Sequence, residues 1–399
     1  MAVFYFCQCY IFIGFASSFD RIAQCDYLPQ GSLERKNIRS IGSATLMKTP
    51  ITKSNAISCD VTPRSNHFLA GRGDGARMSI GNAAALEANF IVFPVGQKFL
   101  AVIGIDTLFS SEALKSGVLN TISKSAKSKV LDIVIVANHT HNAPSLDPEK
   151  PILGSVDAVY FKQAVQSLSE TLEKTLHDPS PDRVIKHGRS QCFANARRRK
   201  ATLRVNKSWP ILKYEICAVP NHATDVPRDL DLFYATDSTG TAKWCLWSWT
   251  CHSVSYPDPR QNHPDFPGPV RDHIRSILGV VDLPVVYLPG LAGDIRSDAA
   301  HRPNSITNRL MTPLVRPFAT ATHETFAKLC DDVSKGTDRA LAAAEPLKPR
   351  AISPFWASKR LPLAEIMTDE NAHRSIEVGY LRHPMFDICL LYTSPSPRD

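Results

Sequence analysis

Apolar residues follow two rhythms along this chain, unbroken short runs and runs spaced three or four apart. The runs Ala88–Val95 and Phe99–Ile105 flank Gly96 and predict a hairpin of two strands. A helix is expected over 111–125, and then a strand at Leu131–Ala137. Ile133 to Ala137 show no polar alternation, which suits a central strand covered on both faces. From Ser155 to His177 the residues Val156, Val159, Ala164, Val165, Leu168, Leu172 and Leu176 recur at helical spacing. Strand, helix, strand, helix implies an α/β domain, a mixed sheet with flanking helices.

Beyond Pro179-Ser-Pro181 the pattern turns β-rich, with strands expected at 183–188, 213–219, 229–235 and 241–251. A helix over Pro269–Leu278 leads to a strand at Val285–Leu288. A helical region from about Pro313 to Ala344, built on Leu314, Phe318, Phe326, Leu329, Ala340 and Ala343, is expected to pack outside the sheet.

Polar chemistry begins where these strands end. The third run breaks off into Asn138-His139-Thr-His141, the strand at 241–251 into His252, and the strand at 285–288 into Gly293-Asp294. In open α/β sheets the carboxyl ends of strands are where ligands sit. His139 and His141 are two apart, so in extended geometry both face one side, and imidazole is the commonest metal ligand. By itself the pair reads as strand-end histidines satisfying backbone groups, because two ligands do not fill a zinc shell. Asp106, at the end of the hairpin, reads as the cap of the helix that follows.

At 399 residues, with 43% hydrophobic and 21% charged residues, the chain fits an ordinary globular protein with one main catalytic domain. The net charge of +8 is modest, and its densest cluster, Arg197-Arg198-Arg199-Lys200, has no aromatic interleaving. That argues against nucleic acid as a partner, although an arginine there can clamp an anionic or carbonyl oxygen. The ten cysteines form no C-x-x-C pair, so buried free thiols are expected, with disulfides left open for a secreted form. Residues 1–16 are apolar but lack a basic lead and are too short for a firm membrane span. They read as a signal, placing the protein outside the cytoplasm, or as an extension ahead of a true start at Met47, placing it inside. In both readings residues 1–50 stay out of the fold.

The segments Ile57-x-x-Asp60-Val-Thr-Pro63, Leu86-Glu-Ala, Ala137-Asn-His139-Thr-His141-Asn-Ala-Pro144, Cys251-His252, Asp265-Phe-Pro-Gly268 and Leu291-Ala-Gly-Asp294-Ile stand in the order found in one family. Over about residues 54–298 the chain resembles the neutral/alkaline non-lysosomal ceramidases and their shorter relatives. The resemblance implies a zinc-dependent amidase that cuts an N-acyl bond, such as that of a ceramide-like lipid amide. It makes His139 and His252 zinc ligands and sets His141 beside the metal as a substrate partner. It also brings one arginine of Arg197, Arg198 and Arg199 to the site, taken here as Arg198. Asp265 and Asp294 are then read either as orienting the ligand histidines or as loop caps.

Three departures stand out. The family's remaining ligands, a glutamate in a Pro-Gly-Glu segment and a tyrosine, have no counterpart. Where the family has a serine before the Asp-Phe-Pro-Gly turn, this chain has Asn262-His263-Pro264-Asp265. After a strand expected at 375–381 the character changes, and residues 386–399 resemble translated adapter sequence, so a catalytic domain over 54–385, incomplete at its end, is expected. Two other functions stay open: a metal-dependent hydrolase of a soluble amide or ester, and a non-catalytic fragment with an incomplete metal site. The oligomeric state is not legible.

Overall fold

Nine-residue and eight-residue apolar runs joined by a left-handed glycine make the first hairpin. In the computed structural model Gly96 (φ +62°) turns β2 (Glu87–Val95) into β3 (Lys98–Ile105). The structure describes residues 53–71, 77–177, 181–205, 212–217, 219–298 and 321–347, and the backbone of short strands at 4–5, 10–12, 38–39 and 355–357. The expectations for the rest of 1–50, for 313–320, for 375–381 and for 386–399 lie outside the described residues.

β1 (Asn55–Asp60) pairs with β2 antiparallel, and β4 (Val130–Ala137) pairs with β3 parallel, giving a sheet in the order β1-β2-β3-β4. The connection from β3 to β4 is helical, but in two pieces, α1 (Glu112–Thr121) and α2 (Lys124–Lys129). Each starts on its own serine: Ser111 Oγ accepts from Leu114 N and Ser123 Oγ from Ala126 N. The single helix expected over 111–125 is thus divided. Asp106 caps neither piece, which corrects that expectation; it is buried elsewhere. β4 is also the last strand of its sheet among the described residues, and not a central one. Its apolar run reflects cover on both faces, by helices outside and by a second sheet inside.

α3 (Ala158–His177) returns across the first sheet. The chain then builds β5 (Val184–Gln191), β6 (Asn195–Arg197), a hairpin of β7 (Lys200–Val205) and β8 (Leu212–Cys217), β9 (Asp229–Thr236) and β10 (Ala242–Trp249). α4 (Pro267–Leu278), β11 (Val285–Pro289), β12 (Ile295–Ser297), α5 (His323–Ala342) and β13 (Glu345–Pro346) complete the described chain. The second sheet runs β11-β10-β9-β5-β13, with β10 and β11 parallel and the other pairs antiparallel. β6 pairs with β12 as a separate ribbon.

The two sheets lie face to face. Ile91, Phe93, Val102 and Val136 from the first pack against Phe233, Trp244, Leu246, Val286 and Leu288 from the second. On the outer face of the first sheet Phe90, Ile103 and Ile133 meet Leu114, Val118, Leu168 and Leu172 of the helices. On the outer face of the second, Cys245, Trp247 and Tyr287 meet Val270 and Ile274 of α4 and Phe326, Leu329 and Val333 of α5. β10 shows the strand period directly, with Trp244 and Leu246 turned inward and Cys245 and Trp247 outward. The architecture is helix, sheet, sheet, helix in four layers. No described helix is long and apolar enough to cross a membrane, and Cys59, Cys192, Cys245, Cys251 and Cys330 are free thiols.

Candidate metal centre

Each sheet contains one parallel strand pair, β3–β4 and β10–β11, and the loops at their carboxyl ends converge. After β4 the backbone bends at once: Asn138 N donates to Ile105 O and His139 N to Thr107 O, both at 3.0 Å. His139 takes a left-handed conformation (φ +65°), uncommon without glycine. Its neighbour over-determines that bend. Asn138 Oδ1 accepts from Thr140 N at 3.0 Å, and Nδ2 donates to Asp106 Oδ1 at 2.7 Å and to Pro264 O at 2.9 Å. Ser253 Oγ donates to the Asn138 carbonyl at 2.8 Å, tying in the loop after β10.

Asp106, read from sequence as a helix cap, sits beneath this bend. It is 3% exposed and accepts from Arg271 Nη1 and Glu87 N, each at 2.9 Å, besides Asn138. Arg271 also faces Glu87, which Arg275 grips through two nitrogens at 2.8 and 2.9 Å. The network joins β2, β3, the bend and α4.

His139, His141 and His252 meet above it. One ring nitrogen from each lies within 4.8 Å of the others, and His141 Nε2 is 3.2 Å from His252 Nε2. Each Nδ1 is turned to a backbone carbonyl: His139 to Leu108 at 2.9 Å, His141 to Gly71 at 2.8 Å, His252 to Ala292 at 3.3 Å. A carbonyl only accepts, so Nδ1 carries the proton and Nε2 keeps its lone pair, the tautomer that ligates a metal. The two sheets do this alike. A strand supplies the histidine and its parallel neighbour supplies the carbonyl, β4 with β3 for His139 and β10 with β11 for His252.

Burial holds His139 at about 4, with the charge of Arg198 acting in the same direction. Burial likewise keeps His252 well below the usual histidine range, helped by the other two histidines and Arg198. The neutral imidazoles of His139 and His252, each with its Nδ1 turned to a carbonyl and its Nε2 left with a lone pair, suit a cation in this cluster. The cluster can hold a metal ion, and among the described residues no carboxylate or thiol joins it.

Of the two readings given for Asp265 and Asp294, neither orients a histidine, because backbone carbonyls take that task, and Asp265 is a loop cap. Asp265, fully buried at φ +59°, accepts from Ser255 N, Tyr256 N and Phe266 N at 2.7–2.9 Å and so shapes the loop after His252. Asp294 pairs with Arg197. Among the three arginines Arg198 is the one whose charge acts on His139 and His252, while Arg197 turns to Asp294 and the Asp225 carbonyl. Phe109 stands edge-on to His139 with centroids 4.9 Å apart, and Leu291, beside Ala292, is 45% exposed. Asn138, Gly71 and Ser253 were not singled out in the sequence. The asparagine before His139, in the run Asn138-His139-Thr-His141, was the signal there.

No protein-family model matches the chain, and no curated protein does either. Solved structures do. Neutral ceramidase from Pseudomonas aeruginosa is similar at a TM-score of 0.52 and 13% identity, over 74% of this chain and 46% of that one. A ceramidase complexed with C2 is similar at 0.55 and 14%, over 74% and 45%. The chain therefore spans less than half the length of these proteins. Over the part they share, the fold of this chain is ceramidase-like.

Proposed function

We propose that the chain carries the catalytic half-site of a zinc-dependent hydrolase that cuts an N-acyl amide of ceramide-like lipid chemistry. The observation that supports it best is the cluster of three histidines at the carboxyl ends of strands, with His139 and His252 kept neutral by burial, in a fold similar to that of neutral ceramidases. His139 and His252 hold the ion, a division that rests on the family resemblance. Zinc bound there supplies Lewis acidity, polarising an amide carbonyl and acidifying water. His141, pinned by Gly71, takes a proton from the attacking water at Nε2 and passes it to the leaving amine. Arg198 opposes the negative charge that develops on the carbonyl oxygen. Asp265 acts at one remove, fixing the loop that presents His252. Phe109 and Leu291 give the acyl chain apolar surface beside the cluster.

Metal content and hydrolysis of a labelled ceramide, measured together on the purified chain and its variants, test this. His139→Ala and His252→Ala are expected to lose both zinc and turnover. His141→Ala is expected to keep zinc and lose about 100-fold or more in kcat. A chain that binds no zinc overturns the metal centre. Zinc with cleavage of short soluble amides alone moves the substrate class from lipid to soluble amide.

A further inference from the structure

Outside the histidine cluster, a serine, a histidine and an aspartate come together. Ser65 and His67 are two apart on the stretch between β1 and β2, and Asp157 lies just before α3. His67 Nε2 is 3.0 Å from Ser65 Oγ, and its Nδ1 is 3.5 Å from Asp157 Oδ2. A carboxylate only accepts, so Nδ1 carries the proton and Nε2 is left to accept from the Ser65 hydroxyl. That is the order of nucleophile, base and orienting carboxylate by which a serine is activated.

The base is held in this orientation. His67 is 7% exposed, while Ser65 lies at the surface. The His67 backbone N–H donates to Ser79 Oγ at 2.9 Å, and the Tyr160 ring lies against the imidazole with centroids 5.3 Å apart. Tyr160 is anchored in turn, its hydroxyl donating to the Val61 carbonyl at 2.8 Å. Asp157 Oδ1 accepts from Tyr160 N at 2.8 Å at the start of α3, which keeps the carboxyl below the usual carboxylate range and leaves Oδ2 for His67. Geometry fixed in advance is what lets a base act on a neighbouring hydroxyl without losing further freedom.

We propose that Ser65, His67 and Asp157 form a second, metal-independent site that hydrolyses carboxylic esters through an acyl-Ser65 intermediate. Ser65 Oγ attacks the ester carbonyl while His67 Nε2 takes the hydroxyl proton. The bond from Oγ to the acyl carbon forms, the bond from that carbon to the alcohol oxygen breaks, and His67 returns the proton to the departing oxygen. Water then attacks the acyl group in the same way, releasing the acid and restoring the Ser65 hydroxyl. Asp157 keeps the imidazole in the right tautomer through both halves. Ser65 faces solvent, so water hydrates the oxyanion there. Esters with stable leaving groups such as phenolates are therefore favoured over amides, whose cleavage draws on built oxyanion donors. The trio shares no residue with the histidine cluster, so the inference stands whether or not that cluster binds zinc.

Reaction of the full chain with a fluorophosphonate, which forms a bond from Oγ to phosphorus and releases fluoride, tests it by peptide mass analysis. With a chelator present, wild type is expected to carry the phosphonyl group on Ser65 and to hydrolyse p-nitrophenyl acetate, and Ser65→Ala to lose both. His67→Asn should slow labelling about 100-fold. Asp157→Asn keeps an acceptor for the start of α3, and should slow labelling about tenfold or more and move its pH profile to lower pH. Thermal midpoints establish that each variant is folded; should His67→Asn not fold, Asp157→Asn decides by the same comparison. Equal labelling rates in wild type and the folded variants would make Ser65 an ordinary surface hydroxyl and overturn the proposal. A label that falls elsewhere, or ester hydrolysis that vanishes with the chelator, overturns it too.

Discussion

His263 accepts the Asp265 backbone N–H at its own Nδ1, at 2.9 Å, and stacks on Tyr256 with centroids 3.8 Å apart. A protonated imidazole cannot accept, and burial, with Arg271 and His323 adding repulsion, holds the ring at about 4. The folded state thus binds fewer protons than the unfolded one between the ordinary histidine value near 6.5 and about 4. The contribution is complete above that window and is lost as pH falls through it, at a cost of a few kcal/mol. Denaturant midpoints measured across the range should fall with acid, and His263→Asn, which keeps an acceptor, should flatten the slope. A slope unchanged in the variant would assign the acid sensitivity elsewhere. Gly71 carries a second prediction at this scale. At φ +81°, a Cβ there would lie 2.3 Å from His141 Nδ1. Gly71→Ala should displace His141 and lower turnover while metal content holds, read by activity and zinc analysis side by side. The histidines were legible in the sequence because each follows an apolar strand. The carbonyls of Leu108, Gly71 and Ala292 that orient them were not, since every residue carries a carbonyl and none marks its direction.

Among elements, the strand runs and helix periods were legible, and most boundaries fall within a few residues of the pattern. The second sheet as a covering layer was not. A strand buried on both faces reads as one apolar run whether its cover is a helix or another strand, so β4 passed for a central strand. Asp106 was misread for a similar reason. A carboxylate between a strand and a helix looks the same whether it caps the helix or pairs with an arginine 165 residues away, and Ser111 had already taken the cap. Removing it as Asp106→Ala strands Arg271 beside Glu87 and frees Asn138; a loss of about 3–5 kcal/mol is expected in chemical unfolding. Where β5 meets α5 the fit is closer still. A Cβ on Gly188 would lie 1.8 Å from the Ala340 carbonyl oxygen, so Gly188→Ala should lower the thermal midpoint by pushing α5 off the sheet.

At the scale of the whole molecule, the centre draws His139 and His141 from one sheet and His252 from the other. The hydrophobic seam between the sheets and the histidine cluster are therefore two joints across the same division. A ligand that binds only the folded state stabilises it by about 2.7 kcal/mol at a concentration 100 times its dissociation constant. Saturating zinc should then raise the thermal midpoint of wild type and leave that of His252→Ala unmoved. Because the ion would bridge the two halves, its occupancy becomes a mechanical property. Amides of β4 and β10 should exchange with solvent more slowly in step when it is bound, and lose that common pace when it is withdrawn, so that the looseness of one half against the other records the metal content of the protein.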